Sequence, residues 1–279
     1  MESQTPEFLP GDFNQNRKII GGAAAENMEL FAAWFLANPG AAADKRAMTF
    51  TALGDTAVVV TLGPGIDESA LPRVRALTAL LGQDRPAGFT DVVPAYATVT
   101  VFYEPGRLAG GTARPYEQVC QLITARARSL DAEAKKKPAT ATRVVEIPVS
   151  YGGEHGPDLR EVARHCLLTP AQGIERHRAG NYLVHAIGFA PGFPYLGGLP
   201  AALHTPRRAT PRLSVPAGSV GIGGAQTGIY PLSTPGGWQI IGRTPLALFR
   251  PTEAEPALLR VGDRVKIIAI TPEKFAAWK

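Results

Sequence analysis

YLVHAIGF (182–189), RLSVPAGSVGIGG (212–224), YPLS (230–233), WQIIGRT (238–244), ALFR (247–250) and DRVKIIAI (263–270) are short apolar or alternating runs separated by turn residues. Between Gly188 and Pro245 there are 12 glycines and 9 prolines in 58 residues, which confines a turn-rich architecture to the C-terminal half. Short strands at such close spacing argue a closed or nearly closed β-barrel. Closure would also remove edges that are apolar enough to be sticky.

Upstream of these runs, Arg143–Val149 (RVVEIPV) reads as one more strand, followed by YGGEHGPDL (151–159) and a pair of short helices. Leu159, Val162, Ala163 and Cys166 form the apolar stripe of the first helix. The second opens on Thr169-Pro170-Ala171-Gln172, a capping box with proline at the first helical position, and ends near Gly180. As a DNA reader it would carry Arg176, His177 and Arg178 at its C-terminal end, whereas base contacts come mainly from the N-terminal part of such a helix. Strands lie on both sides and there is no dense basic cluster nearby, so nucleic acid is not an expected partner.

Further upstream, Met48 to about Leu130 reads strand, strand, helix, strand, strand, helix. Thr56–Leu62 and Ala97–Tyr103 are rich in β-branched residues, Val74, Leu77 and Leu81 mark one helical face, and Tyr116, Val119, Cys120 and Ile123 mark another. Cys120 therefore reads as a core residue. The expected fold class is α+β, with an appended and poorly ordered extension at 1–47, a small two-layer α/β domain at 48–133, a linker at 134–142 and the barrel at 143–279. The extension holds one short amphipathic helix, in which Met28, Phe31, Trp34 and Phe35 share a face, and the linker opens on the Lys135–Lys137 run.

The 279 residues are 45% hydrophobic, enough to bury real cores. The formal net charge of +5 arises from 29 Lys and Arg against 24 Asp and Glu spread along the chain, a mild imbalance. Only two cysteines are present, both on apolar helical stripes, which points to a reducing cytoplasm rather than a disulfide framework. No apolar run approaches the roughly 18 residues that span a bilayer, so no membrane partner is expected.

Common catalytic motifs are missing. Gly223–Gly228 has the glycine spacing of a phosphate-binding loop, but Ile229-Tyr230 stand where Lys and Ser or Thr belong. Ala217 spoils a nucleophile elbow at Ser219, and the five histidines lack metal-ligand spacing, so no metal site is expected. What remains is a concentration of polar groups around rigid turns: Arg207, Arg208 and Arg212 in PRRATPR, Ser219 and Gly221, Gln226 and Thr227, Tyr230, and Arg243. Glycine turns admit close backbone N–H contacts and arginine forks match carboxylate or phosphate, so a small anionic guest is expected. Each glycine could equally serve only as a barrel corner. His177 and His185 are candidate proton carriers, although His185 on an apolar strand also fits a satisfied core residue. Arg207, Arg212 and His185 are the expected catalytic groups. Ser219, Gly221, Gln226, Thr227, Tyr230 and Arg243 are expected to line a substrate or nucleotide pocket.

GFAPGFPYLGG (188–198) is too rich in glycine and proline for a helix and too apolar for a linker. Phe189, Phe193 and Tyr195, with Trp238, are expected to form a rigid lip and an interface with a partner protein, since a rigid segment loses little entropy on binding.

YGGEHGPDL, GFAPGFPYLGGL, PRRATPR, VPAGSVGIGGAQTGIYP (215–231) and PGGWQIIGRTP (235–245), in this order, resemble the family of allophanate hydrolase subunit 1, KipI and the 5-oxoprolinase B subunits (PxpB) over about residues 48–270. The resemblance implies a small α/β domain followed by a cyclophilin-like barrel. It implies two partners, a C subunit of the allophanate hydrolase subunit 2 type and an A subunit of the LamB/YcsF type. It also implies hydrolysis of ATP, with Mg²⁺, coupled to opening the lactam of 5-oxoproline to glutamate, active only in the complex. The family also contains KipI-like inhibitors of sensor histidine kinases and modules related to allophanate hydrolase and urea carboxylase.

Overall fold

The computed structural model describes residues 48–63, 68–83, 85–108, 113–135 and 143–278. The expected extension and its amphipathic helix, and most of the expected linker, lie outside the described residues.

The first elements are β1 (Thr49–Leu53), β2 (Ala57–Thr61), α1 (Leu71–Gly82), β3 (Phe89–Ala95), β4 (Thr98–Tyr103), α2 (Pro115–Arg126) and the short α3 (Leu130–Lys135). The strands form an antiparallel array in the order β1-β2-β4-β3. Val74, Leu77 and Leu81 of α1 and Val119 and Ile123 of α2 are buried against Val58, Val60, Val99 and Val101 of the sheet. Each helix begins with proline in its first turn, where the missing N–H costs nothing. Cys120 packs beside this core, and burial pushes its thiol pKa up.

The second part continues with β5 (Val144–Tyr151), α4 (Leu159–His165), α5 (Pro170–Arg178), β6 (Tyr182–Ile187), β7 (Pro194–Gly197), β8 (Arg212–Val215), β9 (Ser219–Gly223), β10 (Gln226–Ile229), β11 (Thr234–Gly236), β12 (Gln239–Arg243), β13 (Arg264–Ile270) and α6 (Pro272–Ala276). Seven of the strands close on themselves in the order β6-β13-β5-β12-β9-β10-β7, with β7 pairing back to β6. β5 and β13 run parallel and the other pairs antiparallel. Strand alternation sends Ile147, Val149, Val184, Val220, Ile222, Ile229, Ile241, Val265 and Ile267 into the barrel interior. The predicted capping box of α5 is present: Gln172 N–H donates to Thr169 Oγ1 at 3.2 Å and Thr169 N–H to Gln172 Oε1 at 2.8 Å.

Two runs read as strands are not strands. YPLS connects β10 to β11, and ALFR makes only an isolated bridge between Phe249 and Ala257. Their apolar content serves packing, and Pro231 cannot donate to a ladder. RLSVPAGSVGIGG, conversely, is two strands: Gly218, at φ +82°, turns the chain between β8 and β9, and β8 leaves the barrel to pair with β11. The small sheet joins the barrel wall where Ala95 of β3 pairs with Ala186 of β6.

Candidate functional site

The outer face of the barrel beside this joint carries a second apolar cluster: Ala190, Phe193, Val215, Tyr230, Trp238 and Ile240, with Tyr195 against it. Glycines make room for it. A Cβ on Gly223 would lie 2.7 Å from the Trp238 indole, and one on Gly228 would lie 2.8 Å from the Phe193 ring. Gly221 and Gly228 are cross-strand partners, so the glycines of VGIGG and TGIY form a flat bed for aromatic rings. Phe193 is the hub, 4.9 Å from the Tyr195 centroid, 5.2 Å from Tyr230 and 5.6 Å from Trp238, mostly edge to face. The expected lip is thus largely barrel wall. Phe193 and Trp238 are 1% and 5% exposed, and Pro194–Gly197 is strand β7. Phe189 differs: it is 49% exposed, sits at φ +70° and rests edge-on against Phe193.

The tip of the β3–β4 hairpin reaches onto this face. Tyr96, at φ +53°, donates its N–H to the His185 carbonyl at 2.9 Å and stacks on the His185 ring, centroids 5.9 Å apart and planes 13° apart. Its hydroxyl accepts from Gln226 Nε2 at 2.9 Å, and Tyr195 lies 6.0 Å away. Burial raises the pKa of both tyrosines, Tyr195 to about 12, while the Arg207 charge pulls them back. His185 is buried beneath Tyr96, on the strand face opposite Tyr182 and Val184.

The arginines of PRRATPR divide. Arg208 and Arg212 donate to Asp158 Oδ1 at 3.3 and 2.7 Å. Asp158 is buried, its Oδ2 accepts from Ile240 N–H at 2.6 Å, and its own N–H donates to the Ile240 carbonyl at 2.9 Å. It thereby stands in for a strand neighbour of β12 and ties the arginine loop to the barrel. Arg207 is exposed, makes no ion pair among the described residues, and lies over Trp238 with its guanidinium carbon 5.8 Å from the ring.

The remaining expected pocket residues lie elsewhere. Gln226 and Thr227 are neighbours on β10 and so face opposite sides. Thr227 is inside the barrel, where its hydroxyl donates to the Gly221 carbonyl at 2.8 Å. Its single proton thus used, it must accept from His177 Nε2–H at 3.1 Å, which leaves His177 Nδ1 to accept from the Tyr151 hydroxyl at 2.7 Å. Burial lowers the His177 pKa to about 3, so this imidazole is a neutral strut rather than a surface proton carrier. Ser219 is buried and pairs with Arg243, whose Nε donates to the Ala217 carbonyl at 2.8 Å and whose guanidinium lies over Phe275. Both sit at the far end of β9 and β12, about 13 Å by strand rise from Gln239.

The seam between sheet and barrel therefore gathers Arg207, Trp238, Tyr195, Gln226 and His185, and adds Tyr96. It does not gather Arg212, Thr227, Ser219 or Arg243. Sequence reasoning missed Tyr96 and Asp158. Tyr96 has only its place between two alanines and two strands to mark it, and Asp158 shares its glycine- and proline-rich turn with a second acid, Glu154, and is not set apart from it by the sequence.

Among the described residues, no helix is long and apolar enough to cross a membrane. The chain matches the family described as carboxyltransferase domain, subdomain C and D, over residues 48–259. It is 46% identical over 231 residues to the 5-oxoprolinase B subunit of Bacillus subtilis, covering 81% of this chain and 95% of that protein. It is also 46% identical over 216 residues to the 5-oxoprolinase B subunit of Escherichia coli O157:H7, covering 77% and 93%. The crystal structure of Kluyveromyces lactis urea carboxylase shares the fold at a TM-score of 0.66 and 16% identity, over 86% of this chain and 23% of that one. A buried core, a glycine-bedded aromatic wall and relatives matched over nearly their whole length lead to one assignment: the chain belongs to the carboxyltransferase subdomain C and D family, alongside the 5-oxoprolinase B subunits.

Proposed function

We propose that this chain is the B subunit of an ATP-dependent 5-oxoprolinase, which converts 5-oxoproline, ATP and water to glutamate, ADP and phosphate. It acts in the cytoplasm with two partners, an A subunit of the LamB/YcsF type and a C subunit of the allophanate hydrolase subunit 2 type. The names of the full-length relatives support this reading. They do not favour kinase inhibition or a urea-related role.

The observation that carries the site is the division of the arginines. With Arg208 and Arg212 held by Asp158, Arg207 keeps a guanidinium for a ligand, against the Trp238 face and near Tyr195, Tyr96 and Gln226. One cation suits one carboxylate, and 5-oxoproline carries one. Among the described residues at the seam, this donor set falls short of a triphosphate, so we assign ATP and its Mg²⁺ to one of the partners. A lactam is a resonance-stabilised amide that water attacks slowly, and the energy of ATP activates its carbonyl. His185, beneath Tyr96, acts as a positioning residue.

The test is reconstitution. With both partners the chain should yield glutamate and ADP in equal amounts from 5-oxoproline and ATP, and alone it should yield neither. A complete complex without 5-oxoproline turnover refutes the reading.

A further inference from the structure

We propose that Gln226, oriented by Tyr96, reads the lactam edge of the substrate. The inference rests on the functional reading above and deepens it. In a five-membered lactam the amide is cis, so N–H and C=O lie on the same edge of the ring. A primary carboxamide offers the complement of that edge, an acceptor beside a donor, and can close two parallel hydrogen bonds with it.

Gln226 is placed for this. β10 puts it on the outer wall of the barrel while its neighbour Thr227 turns inward. One N–H of Nε2 goes to the Tyr96 hydroxyl at 2.9 Å, and the side chain is only half-buried. The second N–H and Oε1 have no partner among the described residues. The other carboxamide nearby, Gln239, is shut off from the surface: its Nε2 donates to the Pro206 carbonyl at 3.1 Å, and its Oε1, also without a partner among the described residues, is buried.

Tyr96 is itself fixed by its backbone bond to β6 and its stack on His185, so the Gln226 amide plane is held by a rigid hairpin tip from the other part of the fold. Preorganisation of this kind lowers the entropy lost on binding. Ring contacts run from Tyr96 to Tyr195 to Trp238, 6.0 Å at each step, and end under Arg207. The Arg207 charge acts on both Tyr96 and Tyr195, so the carboxylate reader and the lactam reader belong to one face of the barrel. Gln226 would touch the substrate, and Tyr96 would act through Gln226 as a positioning residue.

The experiment compares 5-oxoproline with its lactone analogue, 5-oxotetrahydrofuran-2-carboxylate, in the reconstituted three-protein complex. The lactone keeps the carboxylate and carbonyl and replaces the N–H by an oxygen that faces Gln226 Oε1. Wild type should prefer the lactam by roughly 10- to 100-fold, from KM for 5-oxoproline against Ki for the lactone. Gln226→Leu should raise KM for 5-oxoproline by a similar factor and shrink the preference to within about 3-fold, with ATP affinity unchanged. Tyr96→Phe should shrink it partway, an effect a purely structural role would not produce. If Gln226→Leu fails to assemble, Gln226→Met, which keeps the length and loses both the donor and the discriminating acceptor, is read in the same way. A wild-type preference retained in an assembled Gln226 variant overturns the inference. Lack of any 5-oxoproline turnover by the wild-type complex is the separate failure of the functional reading.

Discussion

Tyr96, at the tip of a hairpin in the small sheet, and His185, on a strand of the barrel, stack ring on ring at 5.9 Å, and the Tyr96 N–H is bonded to the His185 carbonyl. Two parts of the chain that share one strand pair are thus locked by one residue held at positive φ. Tyr96→Phe should cost about 1 kcal/mol, the bond to Gln226, whereas Tyr96→Ala should cost about 3–5 kcal/mol by emptying the stack. Urea unfolding of the three proteins checks this. Equal losses in the two variants would mean that the stack contributes nothing.

Asp158 should prove structural rather than catalytic. Asp158→Ala strands two half-buried guanidinium groups and the Ile240 N–H, and should cost about 2–4 kcal/mol, less than a fully buried pair because the arginines keep contact with water. Arg212→Ala should likewise lower thermal stability. An Arg212 variant of wild-type stability that has lost all turnover would contradict this assignment.

The His177 strut makes stability depend on pH in a defined window. Its folded pKa is about 3 against an ordinary value of 6.5, so the unfolded chain binds the extra proton. The contribution is complete above pH 6.5 and is lost as pH falls from there toward about 3. The slope is about 1.4 kcal/mol per pH unit. Between pH 6.5 and 5, before most carboxylates titrate, His177→Gln should flatten the fall in the urea midpoint. An unchanged slope in that variant would count against the strut.

The glycine bed predicts intolerance of the smallest side chain. Gly223→Ala and Gly228→Ala drive a methyl into the Trp238 and Phe193 rings and should each cost about 1–3 kcal/mol. Near-ultraviolet circular dichroism should report the displaced indole in Gly223→Ala.

What can be read beforehand follows the range of the signal. The strand patterns of β4, β6 and β13 and the apolar stripes of α1 and α2 are local, and they suffice for the fold class, a barrel with a small α/β sheet. The Thr169–Gln172 cap is local too. YPLS and ALFR mislead because apolar content marks burial and not pairing. The strand parity separating Gln226 from Thr227 is legible in the sequence, and grouping both in one pocket ignores it. His177 lies between Arg176 and Arg178 on a short helix, and only the barrel packed against it decides its burial. Asp158 meets Arg208 and Arg212 fifty and more positions away, and Tyr96 meets Gln226 across 130. Contacts of that range leave no local pattern.

The central claim is that Arg207 at the seam holds the carboxylate of 5-oxoproline. It is tested most directly by kcat/KM for 5-oxoproline in the reconstituted complex carrying Arg207→Met, with Arg243→Met, at the far end of the strands, as control. Loss of a charge-assisted contact should lower kcat/KM roughly 10- to 100-fold in the first variant, with KM for ATP unchanged, and leave the control at wild-type activity. Wild-type kcat/KM in an assembled Arg207→Met complex would contradict the account.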